Sequence, residues 1–502
     1  MELTSQVTLS NVVVTIATVV LGRIAWQVIS NLVFSPIPSN IPGPLIARIT
    51  PKWISLVEMS GSRGRIVDAL HKRYGPVVRL SPNELSFNSL PCIKTIYGAG
   101  SSCVKSPAYE NFGKNGMFQT IDPEEHRRRQ KRVAHVFAPV VLNQMEPLIQ
   151  NCVDNLMREL KKRAGTEVDM LHWARMTVLD VGGELMLGKS FGALDGGGNA
   201  PSYVHHLDNA FAAFALYGLS PFAFRLLEYL PVQSLQDFLA AGEYVYRYGE
   251  DAMKDYLQRH GRQSDQKSLL TKMLAGDPSA GVEPLTDPQI SIEVSNLIFA
   301  ATDTTGNTIT YALYQLACNP DWQDRLRQEI VGRSHGNSTD FSYQSLKDLP
   351  VLHGVFTETL RLHPAAPSAL PRVTTGGGCQ IGDLHVPGGT LVSMQALTLQ
   401  RDPEYFSPDP DKFNPQRWIS PRGELDPGSP EQREMMFVWG KGPRSCLGQH
   451  MATMECKISL ARIVAHFEVR LAGEKTHEEM IMTDHFTLVP KGHRCSLVLT
   501  EV

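Results

Sequence analysis

The chain has 502 residues, 42% of them apolar and 20% charged, a balance that excludes intrinsic disorder and collagen-like order. Its 48 Lys and Arg against 51 Asp and Glu leave a net charge of −3, so no overall positive field recruits nucleic acid. Eight cysteines without a CxxC pair exclude a disulfide scaffold and a structural zinc site, which leaves a large protein of a reducing compartment.

Leu3 to Gly22 carries no charge, and a second uncharged run follows Arg23 from Ile24 to Phe34. A spanning helix needs about twenty mostly apolar residues, so the length suffices. Arg23 at the midplane would cost about 2.5–3.5 kcal/mol and is expected to snorkel toward one end. Only Glu2 precedes the run and no A-x-A site follows, which favours a membrane anchor over residues 1–34 against a cleaved signal peptide. Residues 35–51, with Pro36, Pro38, Pro42 and Pro44, read as a proline-rich hinge, and 52–502 as one body. Arg48, Lys52, Arg63 and Arg65 follow the run, whereas no Lys or Arg precedes it. That asymmetry places the body in the cytosol, at the endoplasmic reticulum membrane, and leaves the Asn337-Ser338-Thr339 sequon unglycosylated.

Val77–Leu80 and Leu85–Phe87 read as two strands around a turn at Ser81–Glu84. Helical periodicity then dominates, over 141–164, 203–217, 235–260, 288–318, 343–361 and 447–467, with a glycine loop at Asp195–Asn199. Asp287 is expected to cap the 288–318 helix, with Pro288 in its first turn. Leu384 to Thr398 reads as strands bent at Pro387-Gly388-Gly389. Residues 401–445 are rich in Pro, Asp and Gly, and so long an irregular segment is uncommon unless it is functional. The fold class is therefore mainly α with a smaller β-rich portion.

That segment ends at Trp439-Gly440-Lys441-Gly442-Pro443-Arg444-Ser445-Cys446-Leu447-Gly448 and opens a helix. A lone cysteine is ordinarily a small core hydrophobe. Here glycines shape a tight loop, Arg444 lies close, and a helix N-terminus favours the thiolate by about 0.3–2 kcal/mol. A zinc reading of Cys446 with His450 supplies only two ligands. Glu358 and Arg361 stand at i and i+3 on one helix face, in isolation an ordinary surface pair. Ala300-Ala301-Thr302-Asp303-Thr304-Thr305 interrupts a long apolar helix with groups that are locally unfavourable there; its bland reading is a surface turn. The run His126-Arg127-Arg128-Arg129-Gln130-Lys131-Arg132 is otherwise a solvated helix face.

Residues 439–448 resemble the haem-thiolate signature of the cytochrome P-450 superfamily, with Trp439 in the slot usually held by Phe. The resemblance runs from Pro42-Gly43-Pro44 to about residue 490, and Ser445 and Leu447 are similar to those of membrane-bound filamentous-fungal members. It implies the P-450 fold, one haem-thiolate catalytic domain over 52–502, and haem b with Cys446 as axial iron ligand. Glu358, Arg361 and Arg417, the last in Phe413-Asn414-Pro415-Gln416-Arg417-Trp418, would form the family's buried structural network, with Gln416 where Glu is usual. Asp303 and Thr304 would relay protons for dioxygen activation. His126, Arg372 and Arg444 would hold the haem propionates; where the family often has a further Arg stands Gln130, so that Arg129 takes the contact or it is absent.

The implied activity is a monooxygenase that hydroxylates or epoxidises an apolar small molecule, tailoring a fungal secondary metabolite. No Rossmann or flavin fingerprint is present, so electrons from NADPH would arrive through a separate NADPH-cytochrome P-450 reductase, with cytochrome b5 as a second donor. The arginines after His126 would steer the acidic reductase. Pocket walls are expected from residues 210–224 and from Phe112, Phe118, Asn296, Phe299, Ala300, Ala366, Ser368, Ala369 and Phe486, with Asn296 and Ser368 orienting one polar group. A haem-thiolate isomerase or peroxide-using enzyme is the nearest rival, and a non-catalytic haem protein the rival of another class.

Overall fold

The computed structural model describes residues 9–195, 202–277, 281–332 and 340–502; the sequon and most of the predicted glycine loop lie outside them. The helices that organise the body are α1 (Leu9–Val33), α2 (Pro123–Ala134), α3 (Glu146–Lys162), α4 (Met170–Leu187), α5 (Ser202–Leu219), α6 (Ala241–His260), α7 (Asp287–Cys318), α8 (Pro320–Val331), α9 (Pro350–Leu362) and α10 (Gln449–His466). Strands β1 (Val77–Ser81), β2 (Glu84–Phe87), β3 (Cys103–Lys105), β5 (Arg372–Thr374) and β8 (Leu391–Ser393) form a mixed sheet in the order β1-β2-β8-β5-β3. In it β2 and β8 run parallel and the other pairs antiparallel. Strands β4 (Glu167–Asp169), β9 (Phe467–Leu471) and β12 (Ser496–Glu501) form a second sheet, and β6 (Cys379–Ile381) with β7 (Leu384–Val386) and β10 (Met482–His485) with β11 (Thr487–Pro490) form hairpins. The fold is mainly helical with small sheets.

The centre is α7, which packs on α4, α6, α9 and α10. Helix α4, missing from the sequence reading, is buried on every side except at His172 and Glu184, so it has no polar face to generate a period. A Cβ at Gly306 of α7 would lie 3.2 Å from the Arg175 Cα of α4, so the close approach of these two helices needs glycine there. Three predicted helices are broken. Gln144 and Met145 separate Pro139–Asn143 from α3 within 141–164. Ala240 separates Gln233–Leu239 from α6, and in 343–361 a short turn over Tyr343–Leu346 precedes α9, which begins at Pro350, a residue suited to a first turn but not to an interior. Thr286, not Asp287, caps α7: its N–H reaches Gln289 Oε1 at 3.1 Å, while Asp287 pairs with Arg262.

The expected spanning anchor does not meet its criterion: among the described residues no helix is long and apolar enough to cross a membrane. At about 1.5 Å per residue α1 has the length, so the shortfall lies in Ser10, Asn11, Thr15, Thr18, Arg23, Gln27, Ser30 and Asn31. The proline-rich stretch after it packs onto the body. Arg79 of β1 donates to the carbonyls of Ile37 and Pro38 at 2.7 Å each, and Ser35 Oγ donates to Pro82 O at 2.7 Å.

Candidate active site

Cys446 lies just before α10, in a loop held by short backbone contacts. Its N–H donates to Trp439 O at 2.7 Å, Gly440 N–H to Phe437 O at 2.8 Å and Ser445 N–H to Gly442 O at 3.0 Å. Gly440 and Gly442 take φ of +65° and +67°, and a Cβ on Gly442 would meet Tyr97 O at 2.0 Å, so the turn needs both glycines. The Cys446 side chain is accessible, yet protein surrounds it so thoroughly that desolvation is the leading cause of its raised thiol pKa. An exposed residue so closely surrounded by protein fits a sulfur that faces an enclosed space. The N–H groups of Gly448 and Gln449 point at it and oppose the shift, as expected at a helix N-terminus.

Arg444 donates to Thr120 O and Ile121 O at 2.6 and 3.0 Å, just ahead of α2. Burial, and then repulsion from Arg372, pull its pKa down to about 10. Arg372 opens β5, buried, with its guanidinium 4.9 Å from the Tyr97 ring centre. His126, on the inner face of α2, is pushed down to about 4 by burial and by Arg444, Lys105 and Arg372, so it is neutral near pH 7. Lys105 is the group that sequence reasoning missed. It sits directly opposite Arg372 in the β3–β5 register, its ammonium 3.9 Å from the Tyr109 and Phe118 ring centres, donating to Phe118 O. Burial, then Arg372 and Arg444, hold its pKa well below the usual range. Like charges directly opposite across a strand pair are destabilising. None of the four groups has an ion-pair partner among the described residues.

This donor set fits haem. Arg372, Arg444, Lys105 and the neutral His126 would meet the two propionates, and Cys446 would take the iron through sulfur. Arg129 donates to Glu125 (2.7 Å) and Asn115 O (2.6 Å), while Gln130 donates to Pro443 O at 3.2 Å and braces the cysteine loop. Lys105 stands in the cluster instead.

Asp303 and Thr304, adjacent in sequence, diverge on α7. Thr304 is half-buried and its hydroxyl donates back to Ala300 O at 2.8 Å; Ala300 is exposed although most of the helix around it is buried. Asp303 is buried and bound by Arg175 of α4 at 2.6 Å, and Arg175 also pairs with Asp208 of α5 at 2.9 Å. Burial raises the Asp303 pKa and Arg175 opposes that rise.

Glu358, Arg361 and Arg417 come together as a closed network. Glu358 accepts from Arg361 at 2.7 and 2.8 Å, from Trp418 Nε1 at 2.9 Å and from Asn414 N–H at 3.0 Å, with Arg417 Nε 3.4 Å away. Arg417 also donates to the carbonyls of Ser407, Pro408 and Asp409. Gln416, the departure in this segment, faces outward and accepts from Arg325 at 3.2 Å. Of the expected pocket walls, Phe112, Phe214, Asn296 and Phe299 line one cavity with Val245, Tyr246 and Ser295. The two expected orienting groups are engaged within the protein. Ser368 Oγ donates to Asp484 at 2.5 Å, and Asn296 Oδ1 accepts from Tyr246 at 2.8 Å and Gln119 at 3.1 Å.

A family profile for Cytochrome P450 matches residues 44–497. The chain is 30% identical over 468 residues to a protein of Aspergillus terreus named Cytochrome P450 monooxygenase tazI, covering 91% of this chain and 93% of that one. It is 29% identical over 476 residues to Benzoate 4-monooxygenase bphA of Aspergillus niger (87% and 88% covered) and 28% identical over 476 residues to Cytochrome P450 monooxygenase hepC of Aspergillus oryzae (90% and 92%).

Proposed function

The chain belongs to the cytochrome P450 family as a haem-dependent monooxygenase, and from that premise we propose that it hydroxylates or epoxidises an apolar small molecule of fungal secondary metabolism with electrons originating from NADPH. When bound, the haem iron supplies dioxygen activation and the insertion of one oxygen atom into substrate. The observation that carries the reading is Cys446, exposed yet closely surrounded by protein, at a helix N-terminus beside buried Lys105, His126 and Arg372 and half-buried Arg444, none of which has an ion-pair partner among the described residues.

Each residue then has a task that its geometry supports. Cys446 binds the iron as thiolate. Arg372, Arg444, Lys105 and His126 orient the macrocycle by its propionates. Thr304 presents its hydroxyl on the Ala300 face of α7 and moves a proton there by exchanging the Ala300 carbonyl for water. Asp303 can pass a proton to that hydroxyl only after leaving Arg175 and taking the proton from water, so the salt bridge to Arg175, which Asp208 shares, holds Asp303 in reserve. The aromatic lining around Phe112, Phe299 and Phe486 excludes water and suits an apolar substrate.

Arg127, Arg128 and Lys131 are exposed on the outer face of α2 and form the docking surface for a separate reductase, or for cytochrome b5. Attachment to the endoplasmic reticulum membrane, with the body on the cytosolic side, is supported by the exposed Leu21, Trp26 and Leu32 of α1 and by Phe222, Leu226, Tyr229 and Leu230. The test is reductase-dependent NADPH and dioxygen consumption over a panel of apolar metabolites. Thr304→Ala is expected to lower product formed per NADPH at least fivefold with the haem spectrum intact, and unchanged coupling would remove Thr304 from proton delivery.

A further inference from the structure

We propose that Gln400 is a positioning residue for the iron ligand: its side chain connects the Glu358–Arg361–Arg417 network to the loop that presents Cys446. This rests on the haem-thiolate reading. Gln400 is wholly buried and uses every polar group it has. Its Nε2 donates to Leu360 O and Arg361 O, both at 2.9 Å, and so satisfies two carbonyls of the last turn of α9 that have no partner within the helix. Its backbone carbonyl accepts from Arg361 Nη1 at 2.9 Å, so Arg361 holds Glu358 with one edge and Gln400 with the other. Its Oε1 accepts the Phe437 N–H at 2.9 Å.

Phe437 is where the cysteine loop begins. The Phe437 carbonyl receives Gly440 N–H, and two residues after Phe437 the Trp439 carbonyl receives Cys446 N–H, so a hydrogen bond that fixes the Phe437 peptide fixes the start of the turn carrying the sulfur. The Phe437 ring packs on Tyr97 at 4.9 Å, and the opposite partner of Tyr97 is Arg372. One amide therefore sits between the closed charge network on one side and both the thiolate loop and the cation cluster on the other. A buried amide in this setting is costly to leave partly satisfied, so its two ends are ordered together.

The two ends can be separated. Gln400→Met keeps the approximate shape and removes donors and acceptor. Gln400→Glu keeps the acceptor for Phe437 N–H and gives up donation to α9. The readout is the ferrous carbon monoxide spectrum of haem-loaded protein followed over time, beside its thermal unfolding. A purely structural role would lower the melting temperature and the yield without changing how fast the folded fraction loses its thiolate-type Soret band. The expected result is that Gln400→Met loses that band at least tenfold faster than wild type, and that Gln400→Glu stays within twofold of it. If Gln400→Met does not load haem, loading decides: a Glu variant that loads haem and keeps the wild-type rate shows that the acceptor for Phe437 N–H is what the site needs and supports the proposal, whereas a Glu variant that also fails to load, or loses the band tenfold faster, overturns it. A folded Met variant with the wild-type rate also overturns it. A wild-type chain that shows no such band at all would instead sink the haem-thiolate reading beneath it.

Discussion

Two clusters of basic side chains adjoin the cysteine loop, and they are built in opposite ways. Around Glu358, two guanidiniums, an indole N–H and a backbone N–H converge on one carboxylate, and the remaining N–H groups of Arg361 and Arg417 find main-chain carbonyls. Around Arg372 the guanidinium, a second arginine, a lysine and a histidine face one another with no ion-pair partner among the described residues, and three of the four have lowered pKa values, by burial first and by that company second. A closed network is structure and is finished by folding. An open one is a site, because desolvated like charge is tolerated only where an anion completes it.

Breaking the closed network gives the largest effect. Glu358→Ala leaves two guanidiniums without their acid and is expected to cost about 3–5 kcal/mol, read as a lowered melting temperature in apo- and haem-loaded protein alike. A loss confined to the loaded form would contradict the comparison.

Glu455 of α10 sharpens it, as a buried acid with no hydrogen-bond partner at either oxygen among the described residues. Burial alone pushes its pKa up to about 8. The folded chain therefore keeps a proton that the unfolded chain releases above about pH 4.5, and folding stability falls as the pH rises between those values. Relative to the Glu455→Gln variant, wild type is expected to lose about 2–4 kcal/mol from about pH 5 to pH 8, and equal slopes in urea titrations would show that Glu455 is solvated or paired.

The open cluster should respond with the opposite sign to the closed one. Arg372→Leu relieves repulsion in apo-protein and is expected to leave its melting temperature unlowered, while haem affinity falls about ten- to hundredfold through the lost charged hydrogen bonds. Apo-protein destabilised as much as in the Glu358 variant would place Arg372 in the structural class.

The closed network was legible in sequence through the family resemblance, which Glu358, Arg361 and Arg417 carry in recognisable segments; by spacing alone Glu358 and Arg361 are an ordinary surface pair. The cysteine loop was legible for the same reason, with two glycines and an arginine at set distances from Cys446. Lys105 was not. It lies in a three-residue strand with no motif, and only the register that sets it against Arg372, far later in the chain, gives it a role. Nor does sequence show that Glu125 captures Arg129, which bears on whether Arg129 takes the further contact or it is absent. Helix α4 escaped notice because burial on all sides erases the alternation on which helix recognition depends. In α1 the length of a span is present, but its polar residues leave it short of the apolarity that a span requires.

The most direct test of the account is the reduced, carbon monoxide-bound absorption spectrum of the wild-type chain beside Cys446→Ser. A strongly red-shifted Soret band in wild type, lost in the variant while haem is retained, is the predicted result. A wild-type chain that binds no haem, or a band that the substitution leaves in place, would contradict it and return Cys446 to the status of an enclosed thiol.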